Sequence, residues 1–446
     1  MVQILERING FVWGVPALVL ILGVGIYLTV RTGFAQIRLF PKALKAFGSQ
    51  FARKKGNDGL SGYRALCTAL AATVGTGNLA GVAGAIAIGG PGSVFWMWVC
   101  GILGMVTKYA EATLAVHYRQ KNERGELVGG PMYMITRGMG EKWKWLGYVY
   151  CFFGVVACFG VGNATQVNAV LGGVEAFAGE LSTGVRFLLG LILGVLICVL
   201  LLGGAQRIGR AAEALVPFAA LCYLALGAFV LFQRFDRIGY AFRTIFAGAL
   251  DPAAVTGGVV GSCFKALRVG AARGVFTNEA GMGTASIAHA GAQVEHPVQQ
   301  GLMGIMEVFI DTIVICTMTA LVILCSGVPI PYGKDVGIAL TADAFCAVCG
   351  PWVSGVIALC VLLFAVATVL GWGLYGVRCA QFLFGEGVWK KFVLFQGVTV
   401  VVGALLGTGT LWLFSEIVNG LMAIPNLIAL ACLTPELIRL QKDRIV

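Results

Sequence analysis

A short run of glycine and polar residues interrupts an apolar stretch near residue 75. It reads TVGTGNLAG from Thr73 to Gly81. Gly75 and Gly77 lack a Cβ, so they favour local unwinding of a helix and let a ligand approach the main chain. Freed N–H groups at the start of a second half-helix can bind a carboxylate, and freed carbonyls at the end of the first can coordinate a dehydrated cation. Close helix packing is the alternative role for these glycines.

A second interruption lies at the corresponding position in the other half of the chain. It reads GAARGVFTNEAGMGT from Gly270 to Thr284. Arg273 and Glu279 are costly at bilayer depth unless they are paired or face an aqueous cavity. Carriers build a midplane site where two helices break and expose their backbone. The matched pair of interruptions therefore favours a binding site over packing alone.

The composition places these segments in a membrane. Of the 446 residues, 58% are hydrophobic and 12% are charged, whereas a soluble domain has about 25% charged residues. The net charge of +11 is concentrated in particular loops, which is the pattern of membrane topology and not of a nucleic-acid-binding face. The 14 cysteines lie mostly in apolar runs, where cysteine behaves as a small hydrophobe. The sequence therefore predicts an all-α integral membrane protein.

Eleven apolar segments can be counted, and the chain is read as a single membrane domain over 1–446. The first segment spans 12–30 and reads as a retained helix, not a cleaved signal peptide. A basic linker covers 31–64. Ten core helices are predicted near 65–88, 92–118, 145–174, 185–203, 211–232, 253–288, 298–326, 338–384, 388–406 and 411–434. The 338–384 stretch is too long for one span and is expected to begin with a short helix outside the bilayer.

The distribution of basic residues predicts the orientation. One set of alternate loops holds 22 Lys and Arg, and the opposite set holds six. The positive-inside rule then places the N-terminus outside and the C-terminus in the cytoplasm. The first five core helices (65–232) and the second five (253–434) run in opposite directions, which predicts an inverted 5+5 repeat.

Several motifs resemble those of the alanine/glycine:cation symporter family, the sodium:alanine symporters of the amino acid–polyamine–cation superfamily. They are TALAATVGTGN (68–78), GGPG (89–92), KYAEATLA (108–115), GGPMY (129–133), RGVFTNEAG (273–281) and GW (371–372). The resemblance covers essentially the whole chain. It implies the inverted-repeat fold of the bacterial leucine transporter, sodium as the coupling ion without an organic cofactor, and alanine or glycine as the substrate. It also implies a multi-pass protein of the bacterial plasma (inner) membrane.

The resemblance assigns roles to residues at matching positions. A sodium site would use the carbonyls of Ala71, Val74 and Ala365 and the hydroxyl of Thr368. A second hydroxyl, common in this fold, falls on Val369, so one ligand is missing. The implied substrate-binding residues are Gly75, Thr76, Gly77, Asn78, Gln166, Phe276 and Trp372.

The substrate carboxylate would meet the main-chain N–H groups near Gly75–Gly77, helped by the Asn78 amide. Gln166 is a candidate to bind the ammonium group of the substrate. Alternatively, it forms only an interhelical hydrogen bond. Phe276 and Trp372 could cap a small pocket, or they serve packing.

Other intramembrane charges leave a second carrier mechanism open. Lys108 and Glu111 are spaced as a local helical pair. Glu307 and Asp311 are four apart and both acidic, so they suggest a cavity, a partner such as Arg273, or proton-coupled or exchange transport. No segment has the repeated filter or charge ring of a channel. HExxH, GxSxG and Walker A motifs are absent from the sequence, so a membrane enzyme is not expected.

Overall fold

The computed structural model describes residues 2–52, 61–334, 336–406 and 408–445, and nearly all of them are helical. A two-stranded antiparallel hairpin, β1 (Gln120–Lys121) and β2 (Leu127–Val128), is the sheet in this part of the chain. The α-helices are α1 (Val2–Val12), α2 (Val15–Arg31), α3 (Ala35–Arg38), α4 (Phe40–Ala52), α5 (Gly62–Thr73), α6 (Val82–Gly89), α7 (Gly92–His117), α8 (Pro131–Tyr133), α9 (Lys144–Phe159), α10 (Thr165–Ala178), α11 (Thr183–Leu201), α12 (Gly204–Gln233), α13 (Phe235–Leu250), α14 (Pro252–Thr256), α15 (Cys263–Asn278), α16 (Thr284–Ala290), α17 (Pro297–Val308), α18 (Thr317–Ser326), α19 (Ala339–Cys349), α20 (Val353–Phe384), α21 (Trp389–Leu405) and α22 (Thr408–Ile445).

Short stretches of other helical types connect several of these elements. π-Helical segments occupy Gly77–Gly81, Met134–Met139, Gly160–Ala164 and Phe309–Cys316, and 3-10 turns occupy Glu141–Trp143 and Glu386–Val388. π-Bulges inside helices are frequent at functional sites because they free backbone groups and redirect side chains. Three of the four lie beside the interruptions predicted from the sequence or in helices that contact them.

The membrane-helical architecture is confirmed, whereas the count of eleven is not. In the described part of the chain, nine helical stretches are long and apolar enough to cross a membrane, or ten when α5 and the 77–89 segment count as one bent span. The remaining predicted segment, 253–288, is divided among α14, α15 and α16. The last two have 16 and 7 residues, and each is shorter than the roughly 20 residues of a full crossing.

Two further helices lie between the candidate membrane spans. The short helix expected at the start of 338–384 is present as α19, separate from α20. The sequence predicts no helix over 233–252, but most of this stretch forms α13. Phe235, Tyr240 and Leu250 on α13 are exposed, which suits a helix lying at the membrane interface.

The first interruption is a true helix break. α5 ends at Thr73, and Val74 is extended with φ −79° and ψ 97°. The helix resumes at Gly77, bent by 51° from the direction of α5. The break therefore occupies residues 74–76, inside the predicted run.

The second interruption is shorter than predicted. Residues 270–278 belong to α15, and the break covers 279–283. Glu279 has a left-handed conformation with φ 53°, which is unusual for a residue with a side chain, and Gly281 and Gly283 follow with φ 95° and 76°. The predicted interruption began too early in the chain. Gly270, Gly274 and Arg273 suggest a helix break, although they lie within α15. Gly270 and Gly274 instead allow α15 to pack closely on α7.

The broken helices lie inside the bundle. α5 and α16 are almost entirely buried, whereas α11 exposes a row of large apolar side chains. These are Val185, Phe187, Leu188, Leu191, Ile192, Val195, Leu196 and Val199. An exposed apolar face of this kind suits lipid, and the interior position suits segments that carry polar backbone.

Replacing Gly270 with alanine should lower the thermal stability of the protein. A Cβ at this position would lie 2.3 Å from the Ser93 carbonyl oxygen and 2.8 Å from the Trp96 Cβ. Overpacking of this kind costs about 1–3 kcal/mol. We expect a lower melting temperature in detergent for Gly270→Ala, and an unchanged one for Gly23→Ala, where a Cβ meets nothing within 4 Å. Equal melting temperatures for the two variants would show that α15 and α7 are not closely packed.

Candidate substrate and ion site

The first break is held by the side chain of Asn78. Its Oδ1 accepts a hydrogen bond from the Gly75 N–H at 2.8 Å. In an unbroken helix that N–H would donate to the carbonyl of Ala71. The Ala71 carbonyl has thus lost its regular donor, and its oxygen is available to another partner.

A hydrogen-bonded chain joins the first break to the second. Asn78 Nδ2 donates to Asp311 Oδ1 at 2.7 Å, and the Thr312 hydroxyl donates to Asp311 Oδ2 at 2.8 Å. Thr312 accepts in turn from Asn278 Nδ2 at 3.1 Å. Asn278 is the last residue of α15, and its Oδ1 accepts from the Ala280 N–H within the second break at 2.9 Å. The π-helical turn that carries Asp311 and Thr312 therefore links both interruptions.

The residues proposed to bind sodium lie where α20 meets the first break. A Cβ on Gly75 would lie 2.7 Å from the Thr368 hydroxyl, and one on Gly371 would lie 2.9 Å from the Ala72 nitrogen. The Thr368 Oγ1 is buried and has no hydrogen-bond partner among the described residues. An orphaned buried hydroxyl requires a partner, and sodium is an ion that hydroxyl and carbonyl oxygens can bind. The residues at this position therefore fit the implied ion.

Val369, the position of the missing hydroxyl, faces an apolar environment. It packs in a cluster with Val167, Leu171 and Ile197. The adjacent Ala365 and Thr368 are also buried. The side chain at 369 is thus part of the packing between α20 and its neighbours.

A cavity of about 430 Å³ reaches the start of the second half of the broken helix. Thr76, Gly77 and Phe276 line it, and Arg273 and Glu416 also border it. A Cβ on Gly77 would lie 3.5 Å from a Phe276 ring carbon. The first N–H groups of a helix have no partner within the helix. The N–H groups of residues 76 and 77 can therefore donate hydrogen bonds to an acceptor group in this cavity.

Gln166 lies next to the first break and already forms hydrogen bonds. The Thr76 hydroxyl donates to its Oε1 at 3.1 Å, and its Nε2 donates to the Val161 carbonyl at 3.2 Å. Gln166 is therefore an interhelical hydrogen-bonding residue in this structure. Its acceptor oxygen is also placed beside the exposed backbone.

Trp372 is buried against the second break. Its indole N–H donates to Glu279 Oε1 at 2.9 Å, and the Thr284 hydroxyl donates to the other Glu279 oxygen at 2.5 Å. A Cβ on Gly162 would lie 2.5 Å from the Trp372 Cβ, so only glycine fits there. Trp372 does not line the 430 Å³ cavity. Its observed contacts instead hold Glu279 in place.

Glu111, from α7, supports the same break. Its Oε1 accepts from the N–H groups of Gly281 and Gly283 at 2.9 and 3.1 Å. Asn426, from α22, donates to that oxygen at 2.7 Å and to the Gly281 carbonyl at 2.9 Å. The backbone freed by the second break is therefore satisfied by two side chains from distant helices.

The remaining intramembrane charges have partners other than those expected from the sequence. Lys108 Nζ lies 3.1 Å from Glu307 Oε1, so the local Lys108–Glu111 pair is not the observed ion pair. Glu307 Oε2 lies 2.9 Å from His289 Nε2.

Arg273 and Glu416 form an ion pair at the border of the cavity. Their NH1 and Oε1 atoms lie 3.0 Å apart, and the sequence alone does not indicate this partner of Arg273. Asn9, from α1, donates to the other Glu416 oxygen at 2.7 Å.

The structure thus brings most of the predicted site residues together at two adjacent breaks. Thr76, Gly77 and Phe276 border the cavity. Thr368 lies against Gly75. The Asn78 side chain accepts a hydrogen bond from the Gly75 N–H within the break. The sequence motifs predict no role for Thr312, Asn426 or Glu416. A polar or charged residue within an apolar segment is the signal that could have drawn attention to them.

The sequence profile of the sodium:alanine symporter family matches residues 1–444. The chain is 43% identical to an uncharacterised transporter of Haemophilus influenzae, over 99% of this chain and 95% of the relative. It is 42% identical to the sodium/alanine symporter AgcS of Methanococcus maripaludis, over 97% of this chain and 95% of that protein.

The fold is similar to that of a solved transporter. The crystal structure of MhsT in complex with L-phenylalanine superposes with a TM-score of 0.62, covering 85% of this chain and 90% of MhsT. The two sequences are 14% identical, so this likeness concerns the fold alone.

Replacing Trp372 with phenylalanine should destabilise the second break. The variant removes the N–H that Glu279 Oε1 accepts, and a buried acceptor left without its donor costs about 1–3 kcal/mol. We expect a lower melting temperature in detergent for Trp372→Phe. Trp352→Phe is the matched control, because Trp352 is 65% exposed. If both variants melt at the wild-type temperature, the Trp372–Glu279 bond does not support the break.

Proposed function

The chain belongs to the sodium:alanine symporter family, and we propose that it is a sodium-coupled symporter that imports small neutral amino acids, alanine or glycine, by alternating access. It is a multi-pass membrane transporter and not an enzyme. The family supports sodium as the coupling ion and an amino acid as the substrate. The contacts at the first break support where each would bind.

The observation that carries the proposal is the orphaned hydroxyl of Thr368 beside the broken backbone at Gly75. The Ala71 carbonyl lies one turn before the break and has lost its regular donor to Asn78. With the carbonyls of Val74 and Ala365, these oxygens form the proposed sodium site. A bound sodium ion supplies positive charge that joins α5 to α20 next to the substrate position.

The substrate carboxylate is assigned to the N–H groups at the start of the second half-helix. The Gly75 N–H is engaged by Asn78, so Thr76 and Gly77 are the main-chain donors in this proposal, and Asn78 positions them. Gln166 Oε1 can accept from the substrate ammonium when the Thr76 hydroxyl turns away. Phe276 lies close to Gly77, which leaves room for a small substrate side chain.

Alternating access requires two units that move around this site. We assign the N-terminal helix to 12–30, the first repeat to 65–232 and the inverted second repeat to 253–434, as in the bacterial leucine transporter. The N-terminus lies outside and the C-terminus in the cytoplasm of a bacterial plasma membrane. In this orientation the 430 Å³ cavity opens towards the outside, and the Arg273–Glu416 pair lies at its border.

Proton-coupled or exchange transport is the second candidate function. Glu307 and Asp311 are fully buried, and Glu307 contacts both Lys108 and His289. A buried network of titratable groups of this type can carry a proton during a transport cycle.

Uptake of radiolabelled alanine into proteoliposomes tests the proposed function. We expect accumulation driven by an inward sodium gradient, and competition by unlabelled glycine stronger than by leucine or phenylalanine. Accumulation driven by a proton gradient with sodium absent would support the second candidate instead. Uptake that needs neither gradient and only exchanges internal for external alanine would also contradict sodium symport.

The variant Thr368→Ala should raise the sodium concentration needed for half-maximal alanine uptake about tenfold or more. A hydrogen-bond-like contact to a charged group contributes about 1.5–3 kcal/mol, and 1.4 kcal/mol corresponds to about a factor of ten. Thr368→Ser keeps the hydroxyl and serves as the control, with a sodium dependence near that of the wild type. The same sodium dependence in Thr368→Ala would exclude this hydroxyl as a ligand.

A further inference from the structure

The hydrogen bonds of Glu111 are unevenly shared between its two carboxyl oxygens. Glu111 is fully buried. Its Oε1 accepts from Gly281, Gly283 and Asn426 at 2.9, 3.1 and 2.7 Å. Its Oε2 is buried and has no hydrogen-bond donor among the residues that the structure describes. Both oxygens of a carboxyl group can accept hydrogen bonds, so the orphaned oxygen requires an explanation.

Asn426, the partner of Glu111, has an orphaned oxygen of its own. Its Nδ2 donates to Glu111 Oε1 and to the Gly281 carbonyl. These two acceptors fix the orientation of the amide, because the reversed group would place an oxygen against both of them. The Oδ1 of Asn426 is buried and lacks a donor within the described part of the chain. One hydrogen-bonded pair of side chains therefore holds two acceptor atoms without a donor.

The charges around Glu111 do not balance a carboxylate. Lys108, on the same helix, is paired with Glu307, whose second oxygen contacts His289. The nearby Glu279 has a donor on each of its oxygens, which suits an ionised carboxylate. The phenol groups of Tyr150 and Tyr375 also lie within electrostatic reach of Glu111, and neither supplies a positive charge. Because Lys108 is paired with Glu307, the charge of an ionised Glu279 is already uncompensated. An ionised Glu111 would add a second uncompensated negative charge to this buried region, at high cost.

We propose that Glu111 is a proton-binding site. Its carboxyl group carries a proton on Oε2, and this O–H group donates a hydrogen bond to Asn426 Oδ1. The two side chains then form an acid–amide pair with two hydrogen bonds, one in each direction. A single proton supplies the donor that both orphaned oxygens lack, and it removes the uncompensated charge. This site is separate from the Glu307 and Asp311 carboxyls and does not depend on which amino acid or ion is carried.

The proton would control the contact between α22 and the second break. When Glu111 loses it, two acceptor oxygens face one another and repel, and Asn426 is displaced from the Gly281 carbonyl. The ionised carboxylate keeps its bonds to the Gly281 and Gly283 N–H groups. Proton loss therefore separates α22 from the break while α7 remains attached to it. α22 also carries Glu416, which pairs with Arg273 at the border of the 430 Å³ cavity.

Infrared difference spectroscopy of the full-length protein in lipid tests the proposal. We expect a protonated-acid carbonyl band in the wild type that shifts in heavy water, is absent in Glu111→Gln and persists in Glu279→Gln. The band should disappear as the pH rises, since the proton is lost above the pKa of the group. Absence of an acid band assigned to Glu111 would overturn the proposal, because water or a cation would then satisfy Oε2. Loss of the band in Glu279→Gln alone would assign the proton to the other carboxyl.

A second variant keeps the test decisive if Glu111→Gln does not yield folded protein. Asn426→Ala removes the amide that accepts the proposed bond, so the acid band should move to a higher frequency, as for a carboxyl group with a weaker partner. An unmoved band would contradict the acid–amide pair. Thr368→Ala should retain the band, so failure of sodium coupling and failure of the proton site give different results.

Discussion

A peptide group exposed at membrane depth must find a hydrogen-bond partner within the protein, since lipid supplies none. This constraint governs both broken helices of the transporter. Asn78 holds the first break through Gly75 and is anchored by Asp311. Glu111 and Asn426 hold the second break through Gly281. The helices that contribute these side chains are therefore arranged around the breaks.

The two breaks differ in how their backbone groups are satisfied, and this difference suggests different roles. At the second break, backbone and Glu279 are bonded to side chains from α7, α20 and α22. At the first break, the Thr368 hydroxyl is orphaned within the described residues, and a cavity reaches Thr76 and Gly77. In the proposed function the first break therefore binds the ion and the substrate, whereas the bonds at the second break hold the surrounding helices together. Hydrogen bonds through Asp311 and Thr312 connect the two breaks.

Local sequence predicted what depends on local chemistry. Glycine and polar residues within apolar runs predicted the positions of both breaks. The apolar segments predicted the positions of most membrane helices. The partners of buried charges could not be predicted, because they lie far apart in the chain: Lys108 pairs with Glu307 rather than with Glu111, and Arg273 pairs with Glu416. A single sequence shows that a charged side chain lies in an apolar segment, where burial is costly. It does not show which helix packs against that side chain. Helix α13 was also not predicted, because its charged residues interrupt the apolar run by which a membrane span is identified.

Equilibrium binding of alanine to the purified protein tests most directly whether the exposed backbone at the first break is the binding site. A leucine side chain in place of Gly77 would fill the space between the main chain and Phe276. We expect Gly77→Leu to lose sodium-dependent alanine binding while it keeps the wild-type melting temperature. Gly23→Leu, at a position with open space around it, should bind as the wild type does. Wild-type alanine affinity in folded Gly77→Leu would contradict the central claim.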